Sequence, residues 1–285
     1  MQNLYQETKF IMNKYHITAN KSLGQNFLIS EDAVSSIIES SSITKQDLII
    51  EIGPGLGTLT QQLLEKAGKV ICIELDTKMV NIITDRFSLY DNIQIINEDV
   101  LKVNLQEAIK KEKQENNFQN AKVVANLPYY ITTPIIMKLL EDKLDIESIT
   151  IMIQKEVAQR LLAEPGDTLS GAITYGIHYY TIPENVVEVT RDSFIPAPEV
   201  DSQVIKLNIR KQPPVKVKSE EKLFKIIKLA FMQRRKTLIN ALSNGNLYTK
   251  TEINQMLEAL EIDPKIRGEK LTLEQFAEIA NFEAK

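Results

Sequence analysis

Five short apolar runs, separated by segments with helical spacing, constrain the fold of this chain more than any other feature. Each run is rich in Val and Ile, too short for a helix and mostly without polar alternation, as is typical of buried parallel strands. Between residues 48 and 163 the runs are LIIEI, KVICIEL, IQIIN, KVVAN and ITIMIQ. Helical spacing lies between them, for example at Thr60, Leu63, Leu64 and Ala67 and at Met79, Ile82 and Ile83. This series predicts a doubly wound α/β sheet.

The pattern changes after Pro165. The runs VVEVTR and SQVIKLNIR favour antiparallel strands, and KQPPVKVKS (211–219) is typical of a linker because adjacent prolines block regular hydrogen bonding. Beyond Ser219 apolar residues recur at helical intervals, with a turn at 244–246 and further helical signals at 251–260 and 272–282. We therefore predict two domains, residues 1–212 and an all-helical domain at 213–285.

Composition excludes several classes of protein. The chain has 285 residues, 43% of them hydrophobic, but the apolar runs are short and the first fifteen residues are too polar for a signal peptide or a membrane span. We therefore expect a cytoplasmic protein without a membrane partner. The single cysteine, Cys72, lies in an apolar run and predicts a buried thiol. The two histidines, His16 and His178, have no ligand-like spacing, so we expect no metal site.

Charge is unevenly distributed along the chain. Residues 211–245 contain nine basic and two acidic residues, a net +7, and because the whole chain carries −4 the remainder carries −11. Such asymmetry indicates a localised surface for a polyanion, although a solvated helix face would produce the same pattern. Within this segment Arg234, Arg235 and Lys236 form the densest basic cluster.

The segment EIGPGLGTLT (51–60) follows the first strand run and opens a helix. Gly53, Gly55 and Gly57 leave the backbone bare at the turn, so a nucleotide-type cofactor can approach the main chain, although a purely structural turn is the alternative. Glu74 ends the next strand 21 residues after Gly53, where a carboxylate can accept hydrogen bonds from a ribose diol. The third glycine comes one position too early for a dinucleotide site, which favours a cofactor without phosphates.

Asp99 follows the third strand run. At the carboxyl end of a parallel strand its carboxylate can accept a hydrogen bond from an adenine amine, and it can also cap the next helix. The two roles are compatible.

The segment NLPYY (126–130) follows the fourth strand run. One reaction that such a segment can serve is methylation of an adenine amine. This amine is a poor nucleophile because its lone pair is delocalised into the ring, so its methylation requires hydrogen-bond acceptors for the two amine hydrogens. The side-chain oxygen of Asn126 and the carbonyl of Leu127 or Pro128 are candidates, and Tyr129 offers a face on which an unstacked base can lie. No general base is required if a sulfonium donor is aligned. A plain loop after a strand is the alternative.

Taken together, these motifs resemble those of the ribosomal RNA adenine dimethyltransferases, in particular the branch that dimethylates two neighbouring adenines near the 3′ end of 16S rRNA. The resemblance covers nearly the whole chain. It rests on KSLGQNFL (21–28), EIGPGLGTLT, Glu74, EDVL (98–101), NLPYY, SFIPAPEVDS (193–202), FMQRRKTLINAL (231–242) and RGEKLTLEQF (267–276).

The resemblance implies a Rossmann-like class I methyltransferase domain with a small C-terminal all-helical domain. It implies S-adenosyl-L-methionine as cofactor, 16S rRNA within the small ribosomal subunit as partner, no DNA partner, a monomer, and N6-dimethyladenosine as product in ribosome biogenesis. By the same resemblance Phe194 joins Tyr129 around the target adenine, and the basic cluster binds RNA. The implied cofactor contacts are Gln25, Asn26, Leu28, Gly53, Glu74, Leu75, Asp99, Val100 and Asn126.

Three positions depart from the family pattern. Glu199 stands where Lys is usual, Ser170 where Tyr is usual and Asn240 where Arg is common, which would weaken RNA contacts without altering the transfer chemistry. Four other functions remain as alternatives: a large-subunit rRNA adenine methylase, a DNA adenine methyltransferase, a non-catalytic ribosome assembly factor and, least favoured, a nicotinamide-dependent dehydrogenase.

Overall fold

The computed structural model describes residues 3–20, 23–233, 235–245 and 247–282, and the chain forms two compact units. The first unit contains residues 1–158 and 183–209, and the second contains residues 159–182 and 210–285. The strands are β1 (Phe27–Leu28), β2 (Asp47–Ile52), β3 (Lys69–Glu74), β4 (Ile93–Asn97), β5 (Asn120–Asn126), β6 (Ser148–Gln154), β7 (Thr181–Val189), β8 (Phe194–Ile195) and β9 (Ser202–Ile209). The helices are α1 (Leu4–Lys14), α2 (Glu31–Ser40), α3 (Thr58–Lys66), α4 (Thr77–Arg86), α5 (Leu105–Asn116), α6 (Thr132–Glu141), α7 (Lys155–Leu162), α8 (Ala172–Tyr180), α9 (Glu220–Met232), α10 (Leu238–Asn244), α11 (Lys250–Ala259) and α12 (Leu273–Asn281).

A seven-stranded sheet forms the centre of the first unit. Its order is β4-β3-β2-β5-β6-β9-β7. The five strands from β4 to β6 are parallel, and β9 pairs antiparallel with β6. The strand order reverses between β2 and β5, and ligands bind at such a point in open α/β sheets. The doubly wound α/β sheet predicted from the five apolar runs is confirmed.

The sheet is covered by helices on apolar faces. Strand β2 is buried along its whole length, and β3 and β6 are buried at all but one position, which explains why their sequences lack polar alternation. On α3 and α2 the buried residues recur at helical spacing; they include Leu59, Leu63, Leu64, Val34, Ile37 and Ile38. Cys72 is fully buried on β3, as its apolar surroundings predict.

The second unit has a helical core of its own. Helix α9 begins after Ser219, whose side chain accepts a hydrogen bond from the Lys222 amide. Capping boxes start α11 at Thr249 and α12 at Thr272. The buried residues Leu223, Ile226, Ile227 and Ala230 of α9 pack with those of α10, α11 and α12. The predicted C-terminal helical module is therefore present.

The second compact unit is larger than the predicted domain 213–285, because residues 159–182 belong to it and not to the unit that contains the sheet. Helix α8, which lies between Pro165 and the first predicted strand run, explains this difference. Tyr175 and Tyr179 are buried in the core of the helical unit, and the Tyr175 hydroxyl donates a hydrogen bond to the Leu271 carbonyl at 2.6 Å.

Two further elements were not predicted. Helix α1 occupies the polar N-terminal segment, and the two-residue strands β1 and β8 form a small separate sheet. Within the described ranges, every helix is too short or too polar to cross a bilayer.

A buried ion pair lies at the amino ends of β2 and β5. The ammonium group of Lys122 contacts Oδ2 of Asp47 at 3.0 Å and donates to the Ser42 carbonyl at 2.7 Å, and the two side chains are only 5% and 1% exposed. The Lys122 ammonium lowers the pKa of Asp47, although burial acts in the opposite direction. Removing one partner would leave an uncompensated buried charge.

We expect Lys122→Met to lower the free energy of unfolding by about 3–5 kcal/mol in denaturant titrations, because the Asp47 carboxylate loses its counterion in a dry site. The matched control is Lys138→Met, which breaks the more exposed ion pair with Asp142 on α6 and should change stability by less than about 0.5 kcal/mol. Equal losses in the two variants would contradict a special role for the buried pair.

Candidate active site

An open cleft lies in the first unit at the carboxyl ends of the parallel strands. It has about 1070 Å³ of space not filled by protein atoms, including space open to solvent. Fourteen of the fifteen residues predicted to take part in catalysis or cofactor binding line it: Gln25, Asn26, Leu28, Gly53, Gly55, Glu74, Leu75, Asp99, Val100, Asn126, Leu127, Pro128, Tyr129 and Phe194. Residues from six separate segments therefore converge on a single cavity.

The glycine-rich turn between β2 and α3 forms one wall of the cleft. Gly53, Gly55 and Gly57 all have φ between 58° and 84°, a region that residues with a Cβ rarely adopt. Gly57, the fifteenth predicted residue, does not line the cleft. A Cβ at this position would lie 2.5 Å from the Phe87 ring, so the glycine is required for packing.

Glu74 fixes the glycine turn to the next strand. Its carboxylate accepts hydrogen bonds from the Gly55 amide at 3.3 Å and the Asp76 amide at 2.9 Å. Burial raises the pKa of Glu74, and these two amide donors act in the opposite direction. The carboxylate is thus held at the cleft in a defined orientation and has lone pairs left for hydroxyl donors.

The predicted helix cap at Asp99 is wrong: Asn104 caps α5, and Asp99 lies in the turn before it. Oδ1 of Asp99 accepts a hydrogen bond from the Leu101 amide at 3.0 Å, and the residue also lines the cleft. A carboxylate has two oxygens, so the local hydrogen bond and contact with a ligand are compatible. Nearby, Val100 is buried whereas Leu75 is 51% exposed.

The NLPYY segment lies beside the glycine turn. Asn126 ends β5, and the Leu127 amide donates to the Met152 carbonyl on β6 at 3.1 Å. The Pro128 carbonyl accepts from the Ile131 amide at 3.3 Å and from the Thr132 hydroxyl at 3.1 Å. A carbonyl oxygen has two lone pairs, and both lone pairs of the Pro128 oxygen are already used. The Leu127 carbonyl is therefore the better candidate to accept a hydrogen bond from a ligand.

Phe194 reaches the cleft through a contact that the sequence did not reveal. Strands β1 and β8 pair antiparallel, with Leu28 opposite Phe194, and the Ile29 amide donates to the Ser193 carbonyl at 2.8 Å. Phe194 is 3% exposed. This ladder joins the KSLGQNFL and SFIPAPEVDS segments, whose pairing no local pattern predicts.

Gln25 and Asn26 are fixed by their own amide groups. The Gln25 side chain donates to Oδ2 of Asp76 at 3.0 Å and accepts from the Asn20 amide at 2.9 Å. The Asn26 side chain donates to the Gly24 carbonyl at 3.1 Å. The segment before β1 is thereby attached to Asp76, two residues after the end of β3.

Glu51 is a functional candidate that sequence reasoning missed. It lies on β2, lines the cleft and is 1% exposed, and its Oε2 accepts a 2.6 Å hydrogen bond from the Thr60 hydroxyl. Burial raises its pKa to about 7, and the neighbouring charge of Glu74 adds to the shift. The available signal was a carboxylate inside the otherwise apolar run LIIEI.

Arg86 supports the glycine turn from behind. Its guanidinium donates to the Leu56 carbonyl and forms an ion pair with Glu7 of α1 at 2.6 Å. Ile11 of α1 packs with Phe27 and Leu56 in the same apolar cluster. The N-terminal helix therefore braces both the glycine turn and the segment that contains β1.

The remaining predicted residues lie in the second unit. Arg235 and Lys236 are exposed between α9 and α10, and Lys225 and Lys228 are exposed on α9. Arg234 lies outside the described residues. Across the described ranges, no group of three or more His, Cys, Asp or Glu side chains is placed to hold a metal ion.

Glu51 predicts a pH dependence of stability. In the folded chain its pKa is about 7 against an ordinary 4.5, so between these values the folded state binds more protons than the unfolded state. The unfolding free energy should therefore fall as pH rises through this window. Relative to the wild type, Glu51→Gln should be more stable at pH 8 than at pH 5, by up to about 3 kcal/mol, because the amide cannot ionise.

Denaturant titrations at the two pH values measure this difference. Glu65→Gln, which removes an exposed carboxylate from α3, is the matched control and should follow the wild-type profile. Parallel profiles for Glu51→Gln and the wild type would show that the buried carboxyl does not retain its proton.

Comparison with known proteins gives a consistent result. A family model described as ribosomal RNA adenine dimethylase matches residues 16–285. The ribosomal RNA small subunit methyltransferase A of Alkaliphilus oremlandii is 45% identical over 280 residues, which cover 98% of this chain and 96% of that protein.

Two solved structures share the fold. A dimethyladenosine transferase from Plasmodium falciparum is 26% identical with a TM-score of 0.73, over 89% of this chain and 95% of that one. The 23S rRNA methyltransferase ErmE is 23% identical with a TM-score of 0.67, over 89% of this chain and 98% of that one, a likeness of fold alone. The predicted Rossmann-like class I methyltransferase fold is confirmed. Because the family model matches nearly the whole sequence, the chain belongs to the ribosomal RNA adenine dimethylase family and is a methyltransferase that acts on adenine in ribosomal RNA.

Proposed function

We propose that this enzyme transfers methyl groups from S-adenosyl-L-methionine to the N6 amines of two adjacent adenosines near the 3′ end of 16S rRNA, giving N6-dimethyladenosine during biogenesis of the small ribosomal subunit. The observation that carries the proposal is the convergence of the glycine turn, Glu74, the NLPYY segment and Phe194 on one cleft. Small-subunit specificity is supported by the A. oremlandii relative, whose name specifies that subunit.

The electrostatics of the cleft suit a cationic cofactor without phosphates. Glu51, Glu74, Glu98 and Asp99 line it, and within the described ranges no Lys, Arg or His does. A pyrophosphate would meet like charges there, whereas a sulfonium and an ammonium group would be attracted. This charge pattern disfavours a nicotinamide dinucleotide and is consistent with S-adenosyl-L-methionine.

We assign the cofactor contacts from the placement of the lining residues. The Glu74 carboxylate would accept hydrogen bonds from the ribose hydroxyls, and Asp99 would accept from the adenine amine of the cofactor. Gly53 and Gly55 allow the ligand to approach the main chain. Leu75 and Val100 would contact the adenine ring, and Gln25, Asn26 and Leu28 would close the cleft from the N-terminal segment.

When bound, the donor would supply a sulfonium methyl group: the N6–C bond would form as the S–C bond breaks, the electron pair of that bond would stay on sulfur, and the proton that N6 loses would pass to solvent. The chain's own residues prepare the amine for this attack. The Asn126 side-chain oxygen and the Leu127 carbonyl would hold the two N6 hydrogens, which reduces delocalisation of the lone pair and aligns it with the methyl carbon. Tyr129 and Phe194 would stack against the base once it leaves its helix.

Basic side chains of the helical unit supply the proposed RNA contacts. Exposed Lys and Arg side chains at 225, 228, 235 and 236 can neutralise phosphates without reading sequence. We therefore assign Arg234, Arg235 and Lys236 to RNA binding, with the helical unit as the binding domain. The expected monomeric state and cytoplasmic location form part of the same proposal.

Methylation of small ribosomal subunits in vitro tests the proposed substrate. Unmodified subunits are incubated with enzyme and donor, and primer extension across the 3′ end of 16S rRNA should stop at two adjacent adenines. Stops confined to large-subunit rRNA would instead support a large-subunit methylase, and labelled donor that never reaches adenine would overturn the proposal.

Asn126→Ala should abolish methyl transfer, with a loss of at least about a hundredfold, because the amide oxygen acts directly on the reacting amine. Stability should remain close to that of the wild type, since the side chain ends a strand and is only partly buried. Asn120→Ala, at the opposite end of β5, is the matched control and should retain activity. Normal turnover by Asn126→Ala would refute its assigned role.

Changing Arg234, Arg235 and Lys236 together to Ala should weaken binding to the small subunit. If each contacts one phosphate, the slope of log affinity against log salt concentration should flatten by about 2. The matched control is Lys110→Ala with Lys111→Ala, two exposed lysines of α5. An unchanged slope in the triple variant, measured by filter binding, would contradict the assignment.

A further inference from the structure

Tyr129 has a buried anchor, to which the site described above assigns no role. Its hydroxyl shares a 2.5 Å hydrogen bond with Oγ of Ser202. Ser202 is 0% exposed and opens β9, where it pairs with Gln154 at the end of β6. The distal end of the Tyr129 ring is therefore fixed to the central sheet, while the rest of the side chain remains at the cleft.

The preceding residue fixes the segment that contains Phe194. Oδ1 of Asp201 accepts a hydrogen bond from the Arg191 amide at 3.0 Å, and its carbonyl accepts from the Lys155 amide at 3.0 Å. Arg191 begins the short 3₁₀ turn that leads directly into Phe194. Ser202 therefore supports the Tyr129 ring, and Asp201 supports the turn that precedes Phe194.

These anchors bear on the second of the two transfers. An unmethylated N6 amine has two hydrogens for the Asn126 oxygen and the Leu127 carbonyl. After one transfer N6 carries a methyl group and a single hydrogen, so one of the two hydrogen bonds can no longer form. Binding of the monomethylated base then depends more on its stacking against Tyr129 and Phe194, and stacking requires that these rings stay in a fixed position.

We propose that Ser202 and Asp201 are positioning residues that hold Tyr129 and Phe194 in the arrangement on which the second methylation depends. The inference rests on the proposed function and goes beyond it, since it assigns a step-specific role to residues outside the reacting groups. Loss of the Ser202 anchor frees the Tyr129 hydroxyl, and loss of the Asp201 anchor removes one support of the turn that precedes Phe194.

The test measures the two transfers separately. Full-length enzyme, unmodified small subunits and S-adenosyl-L-methionine are mixed under single-turnover conditions, and N6-methyladenosine and N6-dimethyladenosine are quantified over time by mass spectrometry. Ser202→Ala should slow the second transfer by about three- to tenfold more than the first, as expected for loss of one hydrogen bond. Monomethylated product should accumulate.

Tyr129→Phe provides a second route to the same result, because it removes the hydroxyl and leaves β9 intact. It should reproduce the shift in product ratio, and the double variant should show no further shift, because both substitutions delete one interaction. Asp201→Ala, which acts on the other ring, should add to the effect. Ser148→Ala is the matched control: it changes a buried serine at the far end of β6 and should leave the ratio unchanged.

The outcomes separate this inference from the proposed function. If the wild type dimethylates adenine but Ser202→Ala and Tyr129→Phe slow both transfers equally, or neither, the positioning role is wrong and the proposed function stands. If the wild type does not methylate adenine at all, the proposed function itself fails. Should Ser202→Ala not fold, Tyr129→Phe alone decides the question.

Discussion

The parallel pairing of β2 with β3 on one side and β5 on the other is the constraint on which the rest of the structure depends. It brings the chain to the same edge of the sheet three times, at the glycine turn, at Glu74 and at Asn126. At this edge Glu74 pairs with Asn97 of β4 and Asn126 with Met152 of β6, so both side chains extend from backbone that the sheet holds in place. A methyl transfer needs this rigidity, because small errors in the alignment of donor and amine cost much of the rate.

Local sequence patterns predicted the sheet, the helical module and the cleft residues of the glycine turn, Glu74, Asp99 and the NLPYY segment. The other cleft residues came only from the resemblance to the family: Gln25, Asn26, Leu28, Leu75, Val100 and Phe194. The strand runs were recognisable by their continuous Val and Ile content, and Glu74 and Asp99 by their position after such runs. What sequence could not predict depends on contacts distant in the chain. The ladder of Leu28 with Phe194 involves two strands of two residues each, too short for any periodic signal.

Two differences between the predictions from sequence and the structure have specific physical causes. Residues 159–182 belong to the helical unit because Tyr175 and Tyr179 complete its core, whereas local sequence offered no way to decide which core they would join. Gly57 matches the glycine pattern but serves packing against Phe87, so one motif contains both cleft-lining and structural positions. The burial of Glu51 depends in the same way on neighbours from β3 and α3.

The pairing of β1 with β8 has a consequence for folding and ligand linkage. The walls of the cleft come from residues as far apart as 23 and 194, and the chain passes through the other compact unit before it returns to supply Phe194. Because these walls come from distant parts of the chain, the cleft is complete only when the whole first unit has folded. Contacts between residues so far apart in sequence also form slowly. A ligand bound there stabilises that entire unit cooperatively: at a hundred times its dissociation constant the gain is about 2.7 kcal/mol. The melting temperature of the first unit should consequently report cofactor occupancy.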